Sequence, residues 1–304
     1  MSRCILLLNN ASGGTQRGLD AREVCQMVEG IFRQAGHEIS SVLVAPGKVD
    51  QALADALAAK PDVVIVAGGD GTVSAAARVL GGTGIALGIL PMGTFNLAAR
   101  DLGVPLEIEA AARFLTTAEM VEVDVLDVSG RACLCTTILG FYPEYAGIFE
   151  TRDHGGHWWK KTFKLLTGLR TTFMKFRPLR LAWSGDGGSG QARTKFSAFV
   201  PGRYKESAGL IPARTDFTSG KMSAYIGTHR TAASAFRGIL DYAMGRHEQN
   251  PELQVLSATR MTLTASNRRS CSVMLDGEIL RLPFPIELRL RPAHLKVLTS
   301  ATEI

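Results

Sequence analysis

The stretch Asp62-Val63-Val64-Ile65-Val66-Ala67-Gly68-Gly69-Asp70-Gly71-Thr72-Val73 decides how the rest of the chain is read. Val63 to Ala67 is apolar and β-branched, and short enough for a strand buried on both faces. It ends in a Gly-Gly-Asp-Gly-Thr turn, and Val73 to Leu80, with three consecutive Ala, reads as helix. A strand, a glycine-dense turn and a helix N-terminus together form an anion site. Residues without Cβ let a ligand approach the backbone, while free N–H groups and the helix dipole favour phosphate. Asp70 is the odd member. A carboxylate among phosphates repels them unless a metal ion or a transferable proton lies between.

Outward from this stretch, residues 1–125 alternate strand and helix patterns. Cys4 to Leu8 reads as a buried strand, followed by the polar loop Asn9–Thr15. A helix is expected from about Asp20 to Gly36, with Val24, Met27, Val28, Ile31 and Phe32 at helical spacing. Ile39–Val44 is a second strand and Asp50–Ala59 an Ala-rich helix. Gly84–Leu90 is a further strand that runs into Pro91-Met92-Gly93-Thr94-Phe95-Asn96, with helices expected at Leu97–Leu102 and Leu106–Thr116. Repeated βα units with buried-type strands predict a parallel, Rossmann-like sheet covered on both faces.

From about Val121 the pattern changes to short β-type runs at 121–128, 132–139, 179–184, 194–200, 221–226, 255–264, 271–275, 279–282 and 286–290. That spacing predicts an antiparallel β-sandwich. Helical insertions are expected at 157–176 and 231–246, and Gly185–Gly190 is expected to be a disordered tip. Two domains follow: an α/β domain over 1–125 and a β-sandwich over 126–304, with Leu295–Leu298 able to return to the first.

Charge divides the same way. Residues 1–130 carry 9 Lys/Arg against 15 Asp/Glu, and residues 131–304 carry 25 against 13. A basic half joined to an acidic one suggests that the second domain faces an anionic surface. Composition, at 46% apolar and 20% charged, is that of a soluble globular chain. No apolar run approaches the ~18 residues of a membrane-spanning helix. The five cysteines lack paired spacing, which points to a reducing cytoplasmic setting without zinc or disulfides.

Familiar nucleotide motifs are missing: there is no GxxxxGK[ST] loop, no GxGxxG after the first strand and no kinase HRD or DFG. Instead three strand ends carry polar glycine-rich loops, Asn9–Thr15, Gly68–Thr72 and Pro91–Asn96. In a parallel sheet all three lie along its C-terminal edge, where ligands bind in open α/β folds.

Gly68–Thr72, then Gly88-Ile-Leu-Pro-Met-Gly-Thr-Phe-Asn-Leu-Ala-Ala-Arg100, then Leu275-Asp-Gly-Glu278 resemble the diacylglycerol kinase catalytic-domain family. That family includes bacterial lipid kinases and sphingosine kinases and is distantly related to NAD kinases. The resemblance implies a two-domain NAD kinase/diacylglycerol kinase-like fold with the active site in the interdomain cleft. It also implies ATP- and Mg²⁺-dependent phosphoryl transfer to a lipid hydroxyl. Position by position, Asn9 and Ser12-Gly13 match the first phosphate-side loop, and Gly68, Gly69, Asp70, Gly71 and Thr72 match the signature, with Asp70 beside the phosphates and their magnesium. Thr94 and Asn96 match the third nucleotide-contacting loop. Asp276 and Glu278 match the segment that holds the general base; Asp276 is expected to be that base, with Glu278 on the ATP side, although the two roles can be exchanged.

The chain also departs from the family. Asn10 stands where many relatives have Pro, Phe95-Asn96-Leu97 replaces Gly-Asn-Asp, and Phe199–Tyr204 replaces a Gly-Asn-Asn loop. Ser219-Gly220 replaces an Asp-Gly pair tied to a structural metal in some bacterial members.

The segment 157–180 combines Trp158 and Trp159 with Phe163, Leu165, Leu166, Leu169, Phe173 and Phe176, and seven basic residues fall between 160 and 180. This is the composition of a helix lying in a membrane interface. The expectation is therefore a cytoplasmic, peripherally membrane-associated lipid kinase with no nucleic-acid partner. The rivals are a soluble-substrate kinase of the NAD kinase type and a catalytically silent nucleotide- or membrane-binding homologue.

Overall fold

The computed structural model describes residues 1–10, 20–144, 171–205, 214, 216–229 and 249–300, with single positions between 231 and 246. The first third holds β1 (Arg3–Asn9), α1 (Ala21–Gln34), β2 (Glu38–Val44), α2 (Val49–Ala58), β3 (Val63–Gly68), α3 (Asp70–Leu80), β4 (Ala86–Pro91), α4 (Leu97–Asp101) and α5 (Ile108–Thr117). Then come β5 (Glu119–Val128), β6 (Arg131–Cys133), β7 (Thr137–Gly140), β8 (Leu179–Gly185), β9 (Gly188–Thr194), β10 (Phe196–Pro201) and β11 (Met222–Gly227). The chain ends in β12 (Leu253–Ala258), β13 (Arg260–Ala265), β14 (Ser270–Leu275), β15 (Glu278–Pro283) and β16 (Ile286–Thr299).

The expected fold class is observed, with an α/β N-terminal part and an antiparallel C-terminal part. β2, β1, β3 and β4 lie side by side and parallel. β3 and β4 are buried along their whole length, as their unbroken apolar sequences require. α1 covers one face with Val24, Cys25, Val28, Ile31 and Phe32, and its first turn is capped by the Asp20 carboxylate, which accepts from the Arg22 amide at 2.8 Å.

β16 decides how the two parts join. It pairs in parallel with β4 through Lys296 and Val297, and antiparallel with β5 and β13. A register shift between Arg291 and Leu295 joins runs expected to be separate strands into one 14-residue strand. The order β2-β1-β3-β4-β16-β13-β8-β9 therefore forms one continuous sheet. The boundary expected at 125/126 falls inside β5, which pairs with β16 on both sides of that point.

A second, antiparallel sheet, β12-β11-β10-β7-β14-β15, packs on the far half of the first. Leu126, Leu181, Leu263 and Leu288 from the first sheet and Leu139, Phe199, Ile226 and Val273 from the second share its core. The run expected at 255–264 is two strands, β12 in one sheet and β13 in the other. Gly185–Gly190 belongs to the β8–β9 hairpin, with Gly185 opposite Gly188, and is not a disordered tip.

Part of the segment expected at the membrane lies outside the described residues. Of the rest, Phe173 and Phe176 are buried: Phe173 meets Phe141 edge-on at 5.1 Å and Arg268 covers Phe176 at 4.8 Å. Those two rings serve the core, while Met174, Lys175, Arg177 and Arg180 face outward.

Candidate functional site

The β3–α3 and β4–α4 turns touch through their glycines. A Cβ on Gly93 would fall 2.7 Å from the Gly69 Cα and 2.8 Å from Asn96 Oδ1. Asn96, left-handed at φ 51°, closes its own turn twice. Its Oδ1 accepts from the Gly93 amide at 2.8 Å, and its Nδ2 donates to the Gly93 carbonyl at 3.1 Å.

Asp70 then ties one turn to the other. Its Oδ2 accepts from the Asn96 amide at 3.0 Å and its Oδ1 from the Leu97 amide at 2.7 Å, so it caps the N-terminus of α4 from a neighbouring element. Burial pushes its pKa up and the nearby Asp276 carboxylate adds to this, while the Leu97 and Asn96 amides oppose the shift. Asn9, at the end of β1, donates from Nδ2 to Thr72 Oγ1 at 2.9 Å. Ser12 and Gly13 lie outside the described residues.

The Asp276-Gly277-Glu278 turn arrives from the second sheet. Gly277 sits at φ 95°, and a Cβ there would lie 3.4 Å from Asp70 Oδ2. The two acids of this turn part company. Asp276 is 2% exposed; its Oδ2 accepts from the Leu134 amide at 2.6 Å, and its Oδ1 accepts from the Cys135 and Thr136 amides at 2.8 Å and from Cys133 Sγ at 3.3 Å. Burial raises its pKa, and the three amides and the thiol pull it back. This capture explains why the run expected at 132–139 splits into β6 and β7. The amides of 134–136 serve a carboxylate and not a strand. Glu278 is exposed, and its Oε2 would lie 3.2 Å from a Cβ on Gly71.

Around Gly71 opens a cleft of about 740 Å³. Of the residues expected from sequence, Asn9, Gly69, Gly71, Thr72, Thr94 and Glu278 line it, and Gly93 lines it too. Gly68, Asp70, Asn96 and Asp276 hold its framework from behind. The lining also includes Gly47, Asp50, Ser74, Arg78 and Arg131, which sequence reasoning missed. Gly47, in the Ala45-Pro46-Gly47 turn after β2, was a fourth strand-end glycine and could have been found; Arg131 carried no motif.

The Gly71 amide opens the first turn of α3 and has no acceptor among the described residues. A helix start without side chains at Gly69 and Gly71 suits phosphate oxygens. Among the described residues no cluster of three or more His, Cys, Asp or Glu forms a metal cage. A magnesium carried by phosphates needs only one or two protein carboxylates, and Asp70 and Glu278 flank Gly71.

Residues 3–128 match the family model described as diacylglycerol kinase catalytic domain. A protein named diacylglycerol kinase from Mycobacterium tuberculosis is 28% identical over 251 residues, covering 81% of this chain and 79% of its own. One of the same name from Bacillus subtilis is 32% identical over 135 residues, 43% of each chain. The fold matches a crystal structure of a diacylglycerol kinase from Bacillus anthracis, with a TM-score of 0.70 and 17% identity over 99% of this chain and 98% of that one.

Proposed function

We propose that this chain, whose residues 3–128 match the diacylglycerol kinase catalytic domain, transfers the γ-phosphoryl group of ATP to a lipid hydroxyl, with diacylglycerol the first candidate. The observation that carries this reading is the Asp70 carboxylate, which holds both the Asn96 and Leu97 amides and so gathers the two phosphate-type turns around one cleft.

Phosphoryl transfer asks a protein for positioning, charge neutralisation and a proton acceptor. The Gly69–Thr72 backbone and the α3 dipole receive the phosphates, with Thr94 on the opposing turn. Glu278 in the lining, with Asp70 behind it, would hold a magnesium ion brought in with the phosphates, and that ion would supply charge neutralisation. The lipid oxygen forms a bond to the γ-phosphorus, the bond to the β,γ-bridging oxygen breaks, and ADP leaves.

The acceptor of the lipid proton is Glu278, not Asp276, in this reading. Asp276 is sealed behind the cleft with four donors on it, whereas the Glu278 carboxylate is exposed in the lining. A general base must reach the proton that it removes. Contact with an anionic membrane through 157–180, less Phe173 and Phe176, which the core holds, would supply the lipid, and no helix among the described residues is long and apolar enough to cross a membrane.

Radiolabelled ATP offered with a panel of lipids in mixed micelles tests the proposal. Label in diacylglycerol or another lipid alcohol is expected. ATP binding with no labelled lipid would turn the reading into the catalytically silent homologue, and label in a soluble acceptor without liposome sedimentation would turn it into the NAD kinase type.

A further inference from the structure

A phosphate site beside Asp70 and Glu278 calls for a protein cation to offset their charge. Four charged residues line the cleft: Asp50, Arg78, Arg131 and Glu278. Arg78 is spoken for, because its Nη2 donates to Asp50 Oδ1 at 2.6 Å. The Arg131 side chain has no hydrogen-bond, ion-pair or aromatic partner among the described residues.

Its backbone, in contrast, is held tightly. Arg131 opens β6 directly after a two-residue hairpin turn in which Ser129 (φ 49°) and Gly130 (φ 83°) are both left-handed. The Gly130 amide donates to Asp127 Oδ1 at 2.7 Å. The Ser74 hydroxyl donates to the Ala132 carbonyl at 2.7 Å, which fastens β6 to the first turns of α3. An arginine with an anchored backbone and a head uncommitted among the described residues thus lines the cleft that Glu278 also lines.

We propose that Arg131 is a phosphate-binding residue that grips the polyphosphate of the bound nucleoside triphosphate; this rests on the kinase reading above. The guanidinium fork matches two phosphate oxygens at once, which a single ammonium cannot do. It also offsets the repulsion that Asp70 and Glu278 exert on the same phosphates, whereas Arg78 already donates to Asp50.

Equilibrium binding of ATP and of adenosine to the full chain, as wild type, Arg131→Ala and Arg131→Lys, tests this. Loss of a charged hydrogen bond predicts that Arg131→Ala weakens ATP about ten- to a hundredfold and leaves adenosine unchanged. Arg131→Lys should recover part of the loss, and the dissociation constant of tripolyphosphate should rise in Arg131→Ala by about the same factor as that of ATP. The thermal midpoint should not move, because the side chain is exposed. Equal ATP affinity in wild type and a folded Arg131→Ala protein overturns the assignment of Arg131 alone, as does an equal loss for ATP and adenosine. No ATP binding by the wild type overturns the kinase reading, and this proposal with it.

Discussion

Arg214 Nε and Asp101 Oδ2 meet at 2.6 Å with side chains 2% and 5% exposed. The pair joins α4, which follows the Pro91–Asn96 turn, to the stretch before β11. Arg214 also donates to the Pro201 carbonyl at 3.0 Å and stacks on Phe217 at 4.5 Å. Burial disfavours its charge, and the Asp101 carboxylate, together with Cys135 and Asp276, more than restores it. From Arg214 the contacts continue: its backbone bridges to Tyr204, Tyr204 donates to Thr136 Oγ1 at 2.8 Å, and the Thr136 amide serves Asp276. Gly277 then returns to Asp70, whose carboxylate holds the start of α4. The ring of contacts fixes the two sides of the cleft against one another.

Breaking that ring at the buried pair should be expensive. Arg214→Ala leaves Asp101 as an uncompensated buried charge, and a loss of about 3–5 kcal/mol in urea unfolding is expected. The apolar double variant Arg214→Met/Asp101→Leu should recover most of it. A loss below about 1 kcal/mol for Arg214→Ala would show that water reaches the pair.

The two acids of the Asp276–Glu278 turn separate by experiment. Glu278→Gln should cut turnover about 10²–10⁴-fold, the range of a general base, with stability changed by less than about 0.5 kcal/mol. Asp276→Ala strands the Leu134, Cys135 and Thr136 amides without an acceptor, so a loss of roughly 3 kcal/mol or more is expected before any question of chemistry arises. Near-normal turnover by Glu278→Gln, together with a stable but dead Asp276→Asn, would restore Asp276 as the base.

Gly93→Ala probes the contact between the turns. The new Cβ would fall 2.7 Å from Gly69 Cα, and backbone cannot yield as a flexible side chain does. A cost of about 1–3 kcal/mol and weaker ATP binding are expected. Unchanged ATP affinity in Gly93→Ala would mean that the turns separate when nucleotide enters.

Much of this could be read in the sequence because strong local rules applied. Val63–Ala67 had to be a buried strand, and Gly68–Thr72 had to open a helix. The glycines at 69 and 71 and the polar residues at 9, 72 and 94 carried their chemistry in their type. What stayed hidden depended on residues distant in the chain. Asp276 breaks a strand some 140 residues earlier by taking its amides, and no strand propensity at 134–136 records that. The Asp101–Arg214 pair spans 113 residues. Arg131 gained its place only when Ser74 anchored β6 to α3. Which acid of Asp-Gly-Glu faces the cleft was a matter of alternation that only the positive φ of Asp276 and Gly277 settles.

The β8–β9 turn carries an acid-sensitive latch. Asp186 accepts from the Thr259 hydroxyl and from the Thr259 and Arg260 amides, at the point where the chain passes from β12 to β13. The Thr259 hydroxyl is the main cause holding its pKa down at about 2, against an ordinary 3.8. A depressed carboxylate pKa contributes stability that is complete above the unfolded value and is lost as pH falls through the folded one. The latch should therefore hold above about pH 4 and weaken toward about pH 2. Because Asp186 lies at the surface, solvent screens the effect, and it is best read as a difference between proteins. Urea midpoints of wild type and Asp186→Asn, taken from about pH 6 down to about pH 2, should start apart with the wild type higher and draw together below about pH 4. Parallel curves would show that the latch has no net charge dependence.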